Sequence, residues 1–367
     1  MTPWAQLESC AKNSCRFEVL SNPEFLAEGT SITDLFYPTK VLIGHQQTPS
    51  SRKAAEELAA IYSRWVSPEL IIMMDRWSSE LSKLAANAML AQRISSINSL
   101  SAICEAVGAD IDSVSASCGM DPRIGKGMLK STLGWGGGCF EKDILCLVYL
   151  ARSLGLTPVS NYWASVIEMN EYQKSRFLMR IVSSMHGSVG GKSIAILGFA
   201  FKKNTSDTKN SAAIPLVRNL LQEGALVSIY DPMVPPDRIL IDVSAGGSHA
   251  ASVQVCPSAY EACNGVDAVV IATEWDEFLT PIPTGDVRMT TAKDTRIEEP
   301  QSPPSTPGDK GKRLDWEWIM NRMHSPRFIF DGRNMLDRQY LEQLGARYIG
   351  IGSGSEWGFL ERATHSL

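Results

Sequence analysis

The stretch around which the rest of the chain is organised reads Gly134-Trp135-Gly136-Gly137-Gly138-Cys139-Phe140-Glu141-Lys142-Asp143. This loop contains four glycines and delivers Cys139 to what the sequence predicts to be the start of a helix. Glycine has no side chain, so a ligand can approach the backbone of such a loop closely. A thiol at a helix N-terminus lies at the positive end of the helix dipole, which favours the nucleophilic thiolate. Lys142 and Asp143 add a cation and a carboxylate within one helical turn.

The same ten residues also have a purely structural interpretation. Cysteine is among the residue types that are most often buried. Cys139 would then fill a core position beneath a glycine-rich turn. The stretch alone leaves both interpretations open.

The composition is that of a globular chain without a general affinity for nucleic acid. Its 367 residues predict two or three domains. A hydrophobic content of 44% with 20% charged residues is ordinary for a globular protein. The formal net charge of -5 argues against a nucleic-acid binder, because such proteins usually carry a basic face.

The cysteines and the apolar runs indicate the cellular compartment of the protein. The eight cysteines extend from Cys10 to Cys263 without a C-x-x-C pair or a Cys/His pattern of zinc spacing. They predict free thiols in a reducing compartment and no metal site. No run of apolar residues is long enough for a membrane span, and the first residues lack the pattern of a secretory signal. We therefore expect a cytoplasmic protein.

Residues 1–74 have the pattern of a partial N-terminal Rossmann-like piece. Phe17–Leu20 and Lys40–Gly44 predict strands, Arg52–Val66 predicts an amphipathic helix, and Leu70–Met74 is a further apolar run. A complete doubly wound sheet opens with a strand, a glycine-rich turn and a helix. No G-x-G-x-x-G sequence occurs in the first 130 residues. The pattern therefore predicts only the remnant of a nucleotide-binding α/β domain.

Residues 75–187 predict an all-helical central domain. From Trp77 to Val107 the chain contains no Gly or Pro and has a helical apolar period. Such a helix would be roughly 45 Å long, which indicates a spine between domains or a subunit interface. The other predicted helices are Asp110–Ser117, Arg123–Leu129, a segment from Cys139 to about Leu154, and Tyr162–His186.

Residues 188–367 predict a C-terminal Rossmann-like α/β domain. The strand Ser193–Leu197, the helix Ala212–Glu223 and the strand Leu226–Tyr230 follow one another as in a βαβ unit, with Asp231 after the second strand. Residues 281–312 are rich in Pro, Ser, Thr and charge and predict a disordered insertion. The remaining predicted elements are strands at Ala268–Ile271 and Phe328–Phe330 and a helix at Leu314–Met323.

Two pairs of polar residues stand at helical spacing outside the central stretch. Glu24 and Glu28 would share one side of a short helical turn, and Lys83 and Asn87 share one face of the long helix. A solvated acidic face is the commoner explanation of the first pair. Ordinary surface charge is the corresponding explanation of Lys83.

Five separated motifs together resemble the UDP-glucose 6-dehydrogenases within the UDP-glucose/GDP-mannose dehydrogenase family. They occur in the order typical of the family and span nearly the whole chain, the 281–312 insertion excepted. The motifs are SNPEFLAEGT at 21–30, WSSELSKLAAN at 77–87, GWGGGCFEKD at 134–143, GFAFKK at 198–203 and FDGR at 330–333.

The resemblance implies an NAD-dependent oxidation of UDP-glucose to UDP-glucuronate in two hydride transfers. It implies that Cys139 traps the intermediate aldehyde as a thiohemiacetal, which is then oxidised to a thioester and hydrolysed. Lys83 would stabilise the negative charge that develops on oxygen, with Asn87 beside it. Asp143 and Glu24 would position or activate water.

The resemblance also implies which residues bind the substrate, the cofactor and a second subunit. Glu28, Lys142 and Lys209 would lie near NAD, and Arg123 would reach into the substrate site of a neighbouring subunit in a homodimer or larger homo-oligomer. The expected substrate-binding residues are Glu24, Phe25, Leu26, Ala27, Glu28, Lys83, Asn87, Arg123, Lys130, Ser131, Thr132, Leu133, Gly134, Trp135, Gly136, Phe201, Lys202 and Arg333. The loop Lys130–Gly136 would surround the UDP-sugar with its backbone amides.

The missing glycine turn is the largest departure from the family pattern. It predicts that the chain lacks most of the N-terminal NAD-binding domain. Two alternatives therefore remain beside the enzyme: a UDP-sugar-binding or interface subunit without turnover, and a dehydrogenase that acts on GDP-mannose.

Overall fold

The fold is described from a computed structural model that covers residues 17–244, 252–281 and 313–353. The predicted insertion at 281–312 lies outside these ranges except for its first residue. The helices are α1 Ser31–Phe36, α2 Pro49–Tyr62, α3 Arg76–Val107, α4 Ile111–Met120, α5 Gly138–Ser153, α6 Thr157–Ser184, α7 Ala213–Gln222, α8 Pro236–Ser244, α9 Ala259–Ala262, α10 Trp316–Arg322 and α11 Arg338–Gln343. The strands are β1 Val41–His45, β2 Ile71–Asp75, β3 Ser193–Leu197, β4 Leu226–Tyr230, β5 Val253–Val255, β6 Ala268–Ile271, β7 Phe328–Asp331 and β8 Arg347–Gly350.

The chain divides into two compact units. The first unit contains the described residues up to Arg93 together with Gly138–Ile167, and the second contains Ile94–Gly137 together with the described residues from Glu168 onward. Each unit is described below by itself.

The first unit contains a pair of parallel strands, β1 and β2, joined by the crossover helix α2. Val41 and Ile43 of β1 pack with Ala55 of α2 in a small buried cluster. Thr48 caps α2, because its hydroxyl accepts a hydrogen bond from the Ser51 amide at 3.2 Å. The predicted strand Phe17–Leu20 is wrong, because only its neighbour Ser21 pairs with β1, in an isolated antiparallel bridge.

The central helices confirm most of the helical prediction. α3 runs unbroken from Arg76 to Val107, as the absence of Gly and Pro predicts. The predicted helix Arg123–Leu129 is wrong, because these residues form turns with a left-handed backbone at Gly125 and at Met128. Within the described ranges, no helix combines the length and the apolar character that crossing a membrane requires.

The second unit contains a six-stranded parallel sheet with the strand order β5-β4-β3-β6-β7-β8. Counted from β3, this is the order 3-2-1-4-5-6 of a doubly wound Rossmann-like sheet, which confirms the predicted α/β fold class. The central strands β6 and β7 are buried along their whole length, as expected where helices cover both faces. The order reverses between β3 and β6, and ligands bind such sheets at this switch point.

Asp231 connects three turns at the carboxyl end of this sheet. One of its carboxylate oxygens accepts hydrogen bonds from the amides of Phe199 at 2.7 Å and Ala200 at 3.0 Å, and from the indole of Trp275 at 3.0 Å. The other oxygen accepts from the Val234 amide at 2.9 Å and from the Met233 amide. The carboxylate is buried, so it joins the turns after β3, β4 and β6.

Replacing Asp231 by Ala should destabilise the second unit strongly. The substitution leaves buried amides and an indole N–H without acceptors, which costs about 3 kcal/mol or more. Urea denaturation followed by fluorescence measures the loss. The matched control is Asp276→Ala, which removes an exposed ion pair with Lys203 and should cost less than about 1 kcal/mol. Equal losses in the two variants would contradict the role given to Asp231.

Candidate active site

Cys139 is the second residue of α5, so it lies in the first turn of that helix as predicted. Its side chain is exposed. The alternative of a structural cysteine buried beneath the turn is therefore not what the structure shows. The thiol is placed where a reagent can reach it and where the helix dipole acts on it.

The glycines before α5 are required by close packing in the second unit. A Cβ atom on Gly136 would lie 2.5 Å from the carbonyl oxygen of Asn210 and 2.9 Å from the Cβ atom of Phe201. Gly137 has a φ of +85°, and its amide donates to the Lys209 carbonyl at 2.8 Å. Any larger residue would push the loop away from the turn that carries Phe201 and Lys209.

Asp143 is the buried carboxylate of the first unit's candidate site. Its side chain is 1% exposed, and it accepts a hydrogen bond from the Asn87 amide at 2.6 Å. The Lys142 ammonium lies 3.2 Å from its other oxygen. The hydrogen bond and the charge of Asp143 raise the pKa of Lys142, and the thiols Cys139 and Cys146 act in the same direction. Lys142 therefore stays a cation beside the thiol.

Lys83 pairs with Glu24, which is 59 residues earlier in the chain. The Lys83 ammonium lies 2.9 Å from one carboxylate oxygen of Glu24 and also donates to the Glu24 carbonyl. The other carboxylate oxygen accepts from the Leu26 amide at 2.7 Å. The hydrogen bond from Lys83 holds the pKa of Glu24 below its usual value. Glu24 is thus kept as an anion by a cation on α3.

These contacts bring five predicted residues together within the first unit. We call Glu24, Lys83, Asn87, Cys139 and Asp143 the candidate catalytic group. Lys83 and Asn87 lie one turn apart on the same face of α3 and bind Glu24 and Asp143 respectively. Cys139 lies one turn before Asp143 on α5. The sequence alone could not show which carboxylate each side chain binds.

Residues 22–27 form neither a helix nor a strand, so the predicted helical turn that aligns Glu24 with Glu28 is wrong. Pro23 and the bond from Leu26 to Glu24 explain this, because both favour a non-helical backbone. The Phe25 ring lies under two cations, Lys40 at 4.6 Å and Lys83 at 5.4 Å from its centre. Glu28 itself is exposed.

The loop from Lys130 to Gly136, which we call the 130–136 loop, is held by side chains of the second unit. Asn98 accepts from the Thr132 amide at 2.9 Å, and Asn170 accepts from the Trp135 amide at 2.9 Å. The Leu133 amide donates to the Gly332 carbonyl at 2.7 Å, and the Gly134 amide donates to the Thr132 hydroxyl at 3.3 Å. Four successive amides are therefore used inside the protein. The prediction that the loop surrounds a ligand with its backbone amides is wrong for these four.

Arg333 and Phe201 lie at the carboxyl end of the six-stranded sheet, near its switch point. Arg333 is buried, with a side-chain exposure of 7%. Its guanidinium donates to the carbonyls of Ala272 at 2.7 Å, Phe201 at 3.3 Å and Gly134 at 3.4 Å. Lys202 lies 5.7 Å from the Phe201 ring centre. A cavity of about 620 Å³ in the same unit is lined by Lys130 and by residues of α4.

Arg123, Lys209 and Asn334 complete the comparison with the sequence. Arg123 is exposed and makes a bidentate contact with Asp121 at 3.0 and 2.6 Å. Lys209 is exposed, and its backbone carbonyl holds Gly137. The sequence analysis missed Asn334, which lines the cavity with Lys130. Its place directly after the FDGR motif was the signal that could have found it.

Two turns that could offer amides to the pyrophosphate of a dinucleotide have these amides bonded within the protein. Such a site needs free amides at a glycine turn before a helix. At α2 the Ser51 amide is taken by Thr48, and after β3 the amides of Phe199 and Ala200 are taken by Asp231.

Three family models match the chain in sequence order. All three belong to the UDP-glucose/GDP-mannose dehydrogenase family: the NAD binding domain matches residues 2–66, the central domain residues 77–172, and the UDP binding domain residues 195–296. The first match corrects the prediction that most of the NAD-binding domain is lacking. That prediction used the glycine fingerprint as the sole marker of the domain, whereas residues 2–66 match the domain model without it.

The chain is similar to curated dehydrogenases over nearly its whole length. It is 47% identical to UDP-glucose 6-dehydrogenase of Rattus norvegicus over 348 residues, covering 93% of this chain and 64% of that protein. It is 45% identical to UDP-glucose 6-dehydrogenase of Drosophila melanogaster over 352 residues, covering 94% of this chain and 67% of that protein. The chain thus spans about two thirds of the length of these relatives.

A solved structure has the same fold. The UDP-glucose dehydrogenase of Pyrobaculum islandicum superposes with a TM-score of 0.71 at 26% sequence identity. The match covers 96% of this chain and 67% of that chain.

Replacing Lys83 by Met should raise the pKa of Glu24 toward its ordinary value. Since the pair lowers the folded-state pKa of Glu24, its stabilisation is present above the unfolded pKa. It is lost as the pH falls through the lowered folded pKa. The stability difference between wild type and Lys83→Met should therefore be full at neutral pH and shrink in acid.

Urea denaturation at a series of pH values and a carboxyl NMR titration with ¹³C-labelled glutamate measure the two effects. Lys40→Met is the matched control, because Lys40 shares the Phe25 ring but is not a cause of the Glu24 shift. A Glu24 pKa that is the same in wild type and Lys83→Met would contradict the pairing.

Proposed function

Because the chain belongs to the UDP-glucose/GDP-mannose dehydrogenase family, we propose that it catalyses the NAD-dependent oxidation of UDP-glucose to UDP-glucuronate. The observation that carries the proposal is the candidate catalytic group. An exposed cysteine, a buried carboxylate and a lysine–glutamate pair meet in one unit. No purely structural role requires an exposed thiol one turn from a buried carboxylate.

The thiol of Cys139 is proposed to hold the substrate between two oxidations. The first oxidation removes a hydride and a proton from the primary alcohol and leaves an aldehyde. The sulfur adds to the aldehyde carbon, and the carbonyl oxygen takes a proton, which gives a thiohemiacetal. The second oxidation removes a hydride and a proton and gives a thioester. Water then attacks the thioester carbon, and the thiol leaves as the acid forms.

The charged pairs fit the proton transfers of this sequence. Lys83 offers an ammonium group that stabilises an oxyanion, and Glu24 beside it accepts a proton from the alcohol or from water. Asn87 and Asp143 form a second pair that orients water toward the thioester. Lys142 keeps a positive charge near the sulfur, which favours the thiolate.

The UDP part of the substrate is proposed to bind in the second unit. The switch point of a doubly wound sheet is the expected place, and Phe201, Lys202 and Arg333 lie there. Since the amides of Thr132, Leu133, Gly134 and Trp135 are bonded within the protein, we assign recognition there to side chains. Lys130 is exposed at the cavity of about 620 Å³ and supplies a charge for a phosphate. The substrate-binding residues that we propose are otherwise those of the sequence prediction.

NAD is proposed as the oxidant on the strength of the match to the NAD binding domain model. When bound, it accepts the hydride in each oxidation. Glu28, Lys142 and Lys209 are the described residues that we assign to its neighbourhood. The amides of the turns before α2 and after β3 are bonded within the protein, so we do not assign them to its pyrophosphate.

The chain is further proposed to work as a homodimer or larger homo-oligomer in the cytoplasm. Large apolar side chains of α5, α6 and the segment between them are exposed, which is typical of a surface that a second copy covers. They include Leu145, Tyr149, Leu154, Val159 and Tyr162. Arg123 is exposed on a turn and is proposed to reach the neighbouring substrate site. We assign residues 1–74 to cofactor binding, 75–187 to dimerisation and 188–367 to UDP-sugar binding.

The activity test supplies UDP-glucose and NAD and measures both NADH and UDP-glucuronate. Wild type should form two NADH for each sugar. Cys139→Ser should lower acid formation roughly a thousandfold or more, as the loss of a covalent nucleophile does elsewhere. Cys146→Ser is the matched control, because Cys146 is exposed on the same helix two turns later and should leave acid formation unchanged.

The same test separates the alternatives. NADH with GDP-mannose but not with UDP-glucose would assign the chain to the other sugar nucleotide. Binding of UDP-glucose without NADH would make it a UDP-sugar-binding subunit. Acid formation by Cys139→Ser at the wild-type rate would overturn the covalent mechanism.

A further inference from the structure

Three consecutive residues after β7 each hold a different part of the 130–136 loop. The Gly332 carbonyl accepts from the Leu133 amide at 2.7 Å. The Arg333 guanidinium donates to the Gly134 carbonyl at 3.4 Å. The Asn334 amide group donates to the Ser131 hydroxyl at 3.2 Å. A single turn of the sheet thus sets the conformation of the loop from Ser131 to Gly134.

Asn334 is the residue of this turn that also fixes the turn itself. Its side-chain oxygen accepts from the Ile351 amide at 2.7 Å, and its nitrogen donates to the Ile351 carbonyl at 2.7 Å. The pair of bonds defines which end of the amide is nitrogen, since a flipped amide would lose both. The nitrogen is therefore directed at Ser131 by the segment after β8.

Burial of Ser131 strengthens its hydrogen bond with Asn334. Ser131 is fully buried, so water does not compete for its hydroxyl. A Cβ atom on Gly350 would lie 2.9 Å from the Asn334 oxygen. Glycine at position 350 therefore leaves room for the Asn334 side chain. Asn334 also lines the cavity of about 620 Å³ that Leu129 and Lys130 line from the loop.

The backbone of Asn334 explains why this residue type stands here. Its φ is +48°, a left-handed conformation that Asn and Gly adopt most readily. Gly would satisfy the backbone but offer no side chain. Asn combines this backbone with two N–H donors and an acceptor oxygen at the end of a short side chain, and all three are used here.

We propose that Asn334 is a positioning residue that holds the 130–136 loop in the shape that receives the nucleoside diphosphate of the substrate. It acts on the loop through its bonds to Ser131 and Ile351. The inference rests on the proposed function only for the identity of the ligand. The effect on the loop is independent of that function.

The experiment compares Asn334→Gly and Ser131→Ala with two controls in the full chain. Asn334→Gly keeps the left-handed backbone and removes all three side-chain bonds, and Ser131→Ala removes only the bond to the loop. Asn204→Gly is the control for the first, since Asn204 is also left-handed, with a φ of +62°. Ser228→Ala is the control for the second, since Ser228 lies in β4 of the same sheet and its hydroxyl donates one bond, to the Ala262 carbonyl of α9.

Hydrogen exchange at the Leu133 amide is the first readout and needs no ligand. Both test variants should exchange there about tenfold faster than wild type while their thermal midpoints stay near that of the controls. The second readout is the affinity for uridine diphosphate by calorimetry, which should weaken about fivefold to tenfold in both. In the activity assay the KM for UDP-glucose should rise while kcat changes little, because the catalytic group is untouched.

Each outcome decides the inference. The Ser131→Ala variant can fold without any rearrangement of the turn. Unchanged hydrogen exchange at its Leu133 amide would therefore overturn the inference. Faster exchange with weaker binding of uridine diphosphate supports it in full. If wild type binds no uridine diphosphate, the proposed function fails while faster exchange still supports the positioning of the loop. A fall in kcat at constant KM would overturn the inference that Asn334 acts on binding.

Discussion

The four-residue spacing of Lys83 and Asn87 on a rigid helix is the constraint on which the candidate active site depends. Residues four apart on a helix face the same side, so one face of α3 presents an ammonium group and an amide to two carboxylates from distant parts of the chain. Asp143 is nearly inaccessible to water, and a buried carboxylate is tolerated only with donors to compensate for lost hydration. Asn87 on α3 supplies one of these donors, and the Lys142 ammonium group supplies the other.

A second constraint acts at the carboxyl end of the six-stranded sheet, where aspartates organise the turns. Asp331 accepts from the amides of Arg333 at 3.0 Å and Leu336 at 2.8 Å and from the Tyr348 hydroxyl at 3.0 Å. Its burial raises its pKa, yet these bonds to the charged form act in the opposite direction. Asp231 has the same role after β4. In dinucleotide-binding sheets a phosphate occupies the amides of the first turn, whereas here a carboxylate of the protein does so.

Much of the fold could be predicted from the sequence, and the failures have definite physical causes. The strands at 193–197, 226–230 and 268–271 were predicted with their observed bounds. The first and the last of them are largely buried apolar runs between turn signals, as is typical of central parallel strands. The short edge strands β5 and β8 were missed, because a partly exposed edge strand has no such run. Arg123–Leu129 failed as a helix because its glycines outweigh a weak apolar period. The candidate catalytic residues were found through motifs, since Glu24 and Lys83 are 59 residues apart and no local pattern connects them.

The hydrogen bonds of the 130–136 loop could not be predicted from the sequence. They change which groups of the loop are open to a ligand. A glycine-rich loop in a sequence indicates free amides that can bind an anion. In this chain the amides of Thr132, Leu133 and Trp135 are already bonded to Asn98, Gly332 and Asn170. Glycine at 136 serves close packing against Asn210 instead. These three amides are therefore not open to an anion, and the exposed side chain of Lys130 is the group that we assign to its recognition.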